Sequence, residues 1–236
     1  MEYIEILKKD LKDIIKISFQ PIYCLKEKKI VTHEVLSRFH SEKVGTIETL
    51  KVIEALEKIG EIHKLDFIII EKIKDYVVKR DMNICINLSP KTILRDDFLE
   101  KLSILEKGYK NLEVEITERG SFNYNQLLKR ILYLKKLGIK ITMDDFPIGN
   151  SNLENLLKMH VDGVKIDREL LKNLCSDKGK GIYKSVVNLL KNIENEITAE
   201  GIETKEELEF VKSLGIDKVQ GYYISKPILE EDFKKI

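Results

Sequence analysis

Apolar residues recur along this chain with two different periods, and the two alternate. Short runs rich in Ile and Val fall at 14–23, 30–37, 83–88, 112–117, 140–145, 163–167, 197–199 and 218–222. Within them apolar residues tend to occupy every second place, the period of a strand. Longer stretches at 47–59, 64–78, 126–137, 183–193 and 205–214 carry the three-to-four spacing of amphipathic helices. Gly60, Gly138 and Gly215 follow three of these stretches, where a helix C-cap takes a residue tolerant of positive φ. Asn123 and Thr204 stand where N-caps belong. Strands alternating with helices give a parallel sheet. Eight such strands predict an α/β fold closed as a (β/α)8, TIM-like barrel. Residues 26–29 alone separate the first two strands, too few for a helical crossover. They therefore predict a hairpin, with an antiparallel first strand. No repeat, low-complexity tract or linker divides the chain, so residues 1–236 read as one domain.

Parity within each strand then sorts the polar residues. Ile84, Ile86 and Leu88 share a face and Asn87 opposes it; Leu112, Val114 and Ile116 share a face and Glu115 opposes it. Glu34 opposes Val31 and Val35, Asp144 opposes the apolar set around Ile141, and Lys165 lies between Val164 and Ile166. Glu200 opposes Ala199, and Gln220 opposes Val219. The outer strand face of a barrel packs beneath its helices, so these polar residues are expected to point inward near the C-terminal strand ends, where barrel active sites are built.

Charge narrows the chemistry. Glu34, Glu115, Asp144 and Glu200, with Asp145 beside them, face one lysine. Carboxylates that close repel, and some must take up protons unless cations sit among them. All-oxygen ligands favour Mg²⁺, Mn²⁺ or Ca²⁺ over zinc. Asp144 and Asp145 could serve two cations with Asp144 bridging, and two ions about 4 Å apart suit attack of water on a phosphodiester. A solvated rim explains one such residue but not the set. A barrel glycosidase also pairs carboxylates, but it calls for aromatic sugar platforms, and the chain has no tryptophan. His33, His40, His63 and His160 lack metal-ligand spacing, and Cys24, Cys85 and Cys175 read as reduced, mostly buried thiols.

Composition adds exclusions. The chain carries 41 basic and 40 acidic residues, giving no basic face for duplex nucleic acid. No apolar run approaches the roughly 18 residues that span a membrane. The first thirteen residues lack a signal-peptide apolar core. The cytoplasm is the expected location, with no membrane partner.

At this point the residues resemble a known family, the EAL domains, over Phe19 to Pro227. Phe19-Gln20-Pro21-Ile22 looks like the family's opening strand, and Glu34-Val35-Leu36-Ser37-Arg38 like its naming motif, with Val35 in place of Ala. Asn87-Leu88-Ser89, Glu115-Ile116-Thr117-Glu118, Asp144-Asp145-Phe146 and Lys165-Ile166-Asp167 follow in family order, then Ala199-Glu200-Gly201 and Gln220-Gly221-Tyr222. The resemblance implies a phosphodiesterase that opens cyclic di-GMP to linear pGpG with two divalent ions, Mg²⁺ or Mn²⁺, and with Ca²⁺ inhibitory. It implies that Glu34, Asn87, Glu115 and Asp144 hold one ion, and Asp144, Asp145 and Glu200 the second. The implied catalytic set is Glu34, Lys165, Glu200 and Gln220: Lys165 orients the attacking water, Glu200 assists proton removal, and Gln220 supports the metal-bound water. Gln20, Leu36, Arg38 and Asp167 are the implied substrate contacts, Glu118 anchors a loop, and a homodimer is an implied assembly.

One segment departs. Where the family pattern reads Gly-Thr-Gly-Tyr-Ser-Ser, this chain reads Pro147-Ile148-Gly149-Asn150-Ser151-Asn152. Proline fixes φ and restricts Phe146 before it, next to Asp145. Two readings therefore stand: an active phosphodiesterase, and a cyclic di-GMP receptor or interaction module with little turnover.

Overall fold

The sheet begins with the expected hairpin. β1 (Ile15–Cys24) and β2 (Lys29–Ser41) run antiparallel, with Phe19 opposite Val35 and Gln20 opposite Glu34. The computed structural model describes residues 11–42, 44–116, 122–148, 153–193 and 195–235. From β2 the sheet continues in parallel through β4 (Ile84–Leu88), β5 (Leu112–Ile116), β6 (Lys140–Phe146), β7 (Gly163–Ile166), β8 (Glu196–Ala199) and β9 (Lys218–Val219). β9 returns to β1 through Tyr23 opposite Val219, which closes an eight-stranded barrel. Two short strands extend it: β3 (Gly45–Ile47) lengthens the edge of β2, and β10 (Ile228–Leu229) pairs with Ser18 and Phe19.

Parity holds through the wall. Ile84, Ile86, Val114, Ile116, Ile141, Met143, Val164, Ile166 and Ile197 are all buried under the helices. Burying a side chain of this size contributes about 1.5–3 kcal/mol. The covering helices are Thr49–Lys58, Ile62–Lys74, Tyr124–Lys136, Asp177–Asn192 and Lys205–Ser213. Asn123 and Thr204 cap their helices as expected, Thr204 in a reciprocal capping box with Glu207. Gly60, Gly138 and Gly215 take positive φ after theirs.

Several boundaries differ from the sequence reading. Ile47 belongs to β3, so that helix starts at Thr49. The stretch expected to be helical to 78 leaves the α form at Lys74 and finishes in a π turn, Asp75–Lys79. The helix expected from 183 begins at Asp177, capped by the Ser176 hydroxyl accepting from Gly179 N–H at 3.0 Å. Gly179 and Gly181 concealed it, yet a Cβ at Gly179 would lie 1.9 Å from the Asn173 carbonyl oxygen. The last barrel strand is two residues long rather than five, because the chain turns at Gly221, whose carbonyl accepts from Ile224 and Ser225.

Inside the barrel, charge is layered. At the N-terminal end Lys140 pairs with Glu196, Lys218 lies 3.0 Å from Glu196, and Thr142 donates to Glu113. Two lysines there meet two glutamates, and this lower layer is balanced. The upper layer is not.

Candidate active site

Residues paired across a ladder point to the same side of a sheet. Gln20 pairs with Glu34, Glu34 with Cys85, Asn87 with Glu115, and Glu115 with Thr142. Across the barrel Lys165 pairs with Thr198, and Thr198 with Lys218. Glu34, Asn87, Glu115 and Lys165 therefore all face inward. Glu200 and Gln220 lie two residues beyond Thr198 and Lys218, just past the ends of their strands. Their backbones extend the ladder, Glu200 N–H donating to the Ile166 carbonyl at 3.1 Å and Gln220 N–H to the Ala199 carbonyl at 2.9 Å. Asp145 is different, since simple alternation would turn it away from Asp144. The register of β6 against β7 breaks between Met143 and Phe146, and Asp145 takes φ +56°. This irregularity brings both aspartates to the centre. Left-handed backbone is uncommon outside glycine, and aspartate is among the residues that tolerate it.

Lys165, 2% exposed, is the hub. Its Nζ lies 2.6 Å from Glu200, 2.9 Å from Glu115, 3.3 Å from Glu34 and 3.6 Å from Asp144. Glu34 also accepts from Gln220 Nε2 at 2.6 Å and Asn87 Nδ2 at 2.9 Å. Burial pushes the Glu34 carboxyl up, but Lys165 and the two amides outweigh it and hold the group below its ordinary range. Glu115 goes the other way. Burial and the Glu34 charge raise it far above the usual carboxylate range. Its Oε2 has no hydrogen-bond partner among the described residues. Burial also lifts Asp144. Burial and then Asp144 push Asp145 to about 6, and burial takes Glu200 to about 8. For Lys165 the carboxylates outweigh burial and raise the ammonium well above its normal value.

Four carboxylates thus share one ammonium in a buried space, with Asp145 beside Asp144 as a fifth acid. Oxygens of Asp144, Asp145 and Glu200 lie within 4.8 Å of one another. An all-carboxylate set with a buried orphan oxygen on Glu115 fits hard divalent cations.

The remaining candidates fall in two groups. Leu36 and Arg38 line a cavity of about 260 Å³ together with Glu34, Asn87, Asp144 and Asp145. Arg38 is anchored by Nη1 donating to the Ser37 carbonyl at 2.8 Å. Gln20 and Asp167 lie outside this lining. Gln20 Nε2 donates to the Ser225 carbonyl at 3.3 Å and tethers the segment after Gln220. Asp167 caps the turn Arg168–Leu171, accepting from Glu169 N–H at 2.6 Å, and its charge helps raise Asp145. Glu118 and residues 149–152 lie outside the described residues. Of the divergent segment, Pro147 follows a cis peptide bond, and Ile148 N–H donates to the Asp145 carbonyl at 2.7 Å. The sequence reading missed Glu57 and Asp66, which also line the cavity. Asp66 had a signal: it is a charged residue on the buried face of Ile62–Lys74, among Leu65, Ile69, Ile70 and Ile73.

The family model for the EAL domain matches residues 5–227. The chain belongs to the EAL domain family. Among curated relatives, this EAL domain is 30% identical over 230 residues to the probable cyclic di-GMP phosphodiesterase PdeG of Escherichia coli, covering 92% of this chain and 45% of that protein. It is 31% identical over 219 residues to an uncharacterized signaling protein of Caulobacter vibrioides, covering 89% of this chain and 27% of that protein. The chain therefore spans less than half the length of these two relatives. Among solved structures, the EAL enzyme Bd1971 bound to cAMP and cyclic di-GMP superimposes with a TM-score of 0.88 at 28% identity, covering 98% of this chain and 66% of that one. No helix among the described residues of the EAL domain is long and apolar enough to cross a membrane.

Proposed function

We propose that this EAL domain hydrolyses cyclic di-GMP to linear pGpG with two divalent cations, Mg²⁺ or Mn²⁺. The observation that carries the reading is the meeting of four carboxylates on one buried lysine, with Asp144, Asp145 and Glu200 oxygens inside 4.8 Å of one another. Glu34, Asn87, Glu115 and Asp144 would hold one cation, and Asp144, Asp145 and Glu200 the other. The cations would supply a water of lowered pKa and neutralise charge on the phosphodiester.

The chain's own groups do the rest. Gln220 and Asn87 fix both oxygens of Glu34, and so its orientation at the centre. Lys165 holds Glu200 at 2.6 Å and places a positive charge where an attacking water and a phosphate oxygen would meet. Glu200, 2.6 Å from Lys165 and next to the Asp144–Asp145 pair, would assist removal of the proton from the attacking water. Arg38, at the rim, offers a guanidinium to a phosphate.

The test is purified protein with cyclic di-GMP and Mg²⁺ or Mn²⁺, followed by chromatography. Linear product that disappears with Glu34→Ala supports the enzyme. Tight binding without product defeats it in favour of a receptor.

A further inference from the structure

The barrel closes on a short seam. β9 meets β1 through Tyr23–Val219 and Cys24–Lys218, and the chain leaves the sheet at the next residue, Gln220. Residues 15–22 of β1 therefore rise above the last β9 pair, and the returning end of the chain fills the gap. β10 pairs with Ser18 and Phe19, and between that pairing and the β9 pairs Gln20 donates to the Ser225 carbonyl. The short helix that follows, Glu230–Phe233, lies against the outer face of the hairpin, where a strand–helix unit would set its crossover helix. The Phe233 ring stacks on Phe19 at 4.2 Å and meets His33 edge-on at 5.1 Å. Phe19 is fully buried. Tyr76, from the π turn, packs on it at 4.7 Å, and its hydroxyl donates to Glu230 at 3.0 Å.

We propose that residues 228–233 form a latch that positions Glu34 from outside the barrel, with Tyr76 and Phe233 as its positioning residues. Its consequence for hydrolysis rests on the phosphodiesterase reading. Strand parity carries the argument. Phe19 and His33 point outward, and their chain neighbours Gln20 and Glu34 point inward, opposite each other in the ladder. The outer ring cluster and the inner carboxylate share one stretch of backbone, so holding the first holds the second. The seam adds a second route. Gln220, which donates to Glu34 at 2.6 Å, begins the turn that Gln20 tethers at Ser225 and that β10 ends. The latch itself is slight. Its helix has four residues, none of them fully buried, and the Lys16–Glu231 pair is exposed and contributes little. The grip is thus concentrated in the Phe233 ring and the Tyr76–Glu230 bond. Segments with few buried apolar contacts open before the core does. The latch is therefore a place where the catalytic centre can be loosened from the surface, without contact with substrate.

The experiment is amide hydrogen exchange by NMR on the metal-free protein, with calorimetric Mn²⁺ binding and turnover of cyclic di-GMP on the same variants. Phe233→Ala is expected to speed exchange at Phe19, Gln20, His33 and Glu34 about 100-fold relative to Val164 and Ile166 of β7. Tyr76→Phe, which keeps the ring and loses the bond to Glu230, is expected to do so about 10-fold, and it carries the test if Phe233→Ala does not fold. Both are expected to weaken Mn²⁺ binding and to lower kcat about 10- to 100-fold with KM nearly unchanged. Phe233→Leu, which keeps an apolar side chain on Phe19, is expected to restore most of the loss, and Lys16→Ala to match the wild type. Exchange that rises equally in the hairpin and in β7 overturns the latch, as do variants with wild-type Mn²⁺ affinity. A wild type without turnover overturns the phosphodiesterase reading, and the exchange and Mn²⁺ results then decide the latch alone.

Discussion

Lys165→Met tests whether the upper barrel layer is built around missing positive charge. The substitution keeps an unbranched stem of similar length and deletes the ammonium. In the wild type that ammonium lies between 2.6 and 3.6 Å from four carboxylate oxygens and is 2% exposed. Removing one partner of a buried ion pair typically costs about 3–5 kcal/mol. For a chain of this size each kcal/mol moves the melting temperature by about 2–4 °C, so the loss is about 6–20 °C. Protonation limits it. Glu200 already holds its proton to about 8, and without Lys165 its neighbours will rise further. The loss is therefore largest near pH 8 and smallest near pH 5. A divalent cation restores the deleted charge, so Mn²⁺ is expected to recover a large part of the stability while turnover stays low. Differential scanning calorimetry at pH 5 and pH 8, in EDTA and in Mn²⁺, reads all four conditions. A variant as stable as the wild type at pH 8 in EDTA would refute the charge argument.

Two further outcomes follow from the same geometry. Asp145 and Glu200 have folded-state pKa values raised to about 6 and about 8, so the metal-free protein has full stability from them below their ordinary carboxylate range and loses it as pH rises through those values; Mn²⁺ added at pH 7 should therefore release protons, and calorimetry in buffers of different ionisation enthalpy that finds none would count against these carboxylates as ligands. Gly221→Ala would put a Cβ 2.2 Å from both the backbone N and O of Ile202, an overpacking worth about 1–3 kcal/mol, and the strain should displace neighbouring Gln220 from Glu34; a melting curve and turnover rate both equal to wild type would show that this turn does not position Gln220.

Much of the site was legible because strand parity is local. A residue two places along a strand returns to the same face whatever the rest of the chain does, so Asn87, Glu115 and Lys165 could be assigned to the interior from their apolar neighbours. Helix caps were legible for the same reason, since Thr204 and Glu207 satisfy each other within one turn. Asp66 was missed because a lone acid on an apolar helix face has no local meaning. Its role depends on Ser89 and Thr92, more than twenty residues away.

The chain's local pattern therefore determined the barrel class, the hairpin start and which face each polar residue occupies. Tertiary structure decided what parity could not. The break in β6 register, with Asp145 at φ +56°, turns a residue that alternation would face outward into a third member of the Asp144–Glu200 cluster. Closure of β9 on β1 brings Gln220 within 2.6 Å of Glu34, 186 residues earlier. The physical reason is the range of the forces. Alternation and capping act over a few residues of backbone, whereas the shared demand of buried carboxylates for one lysine exists only once the barrel has closed.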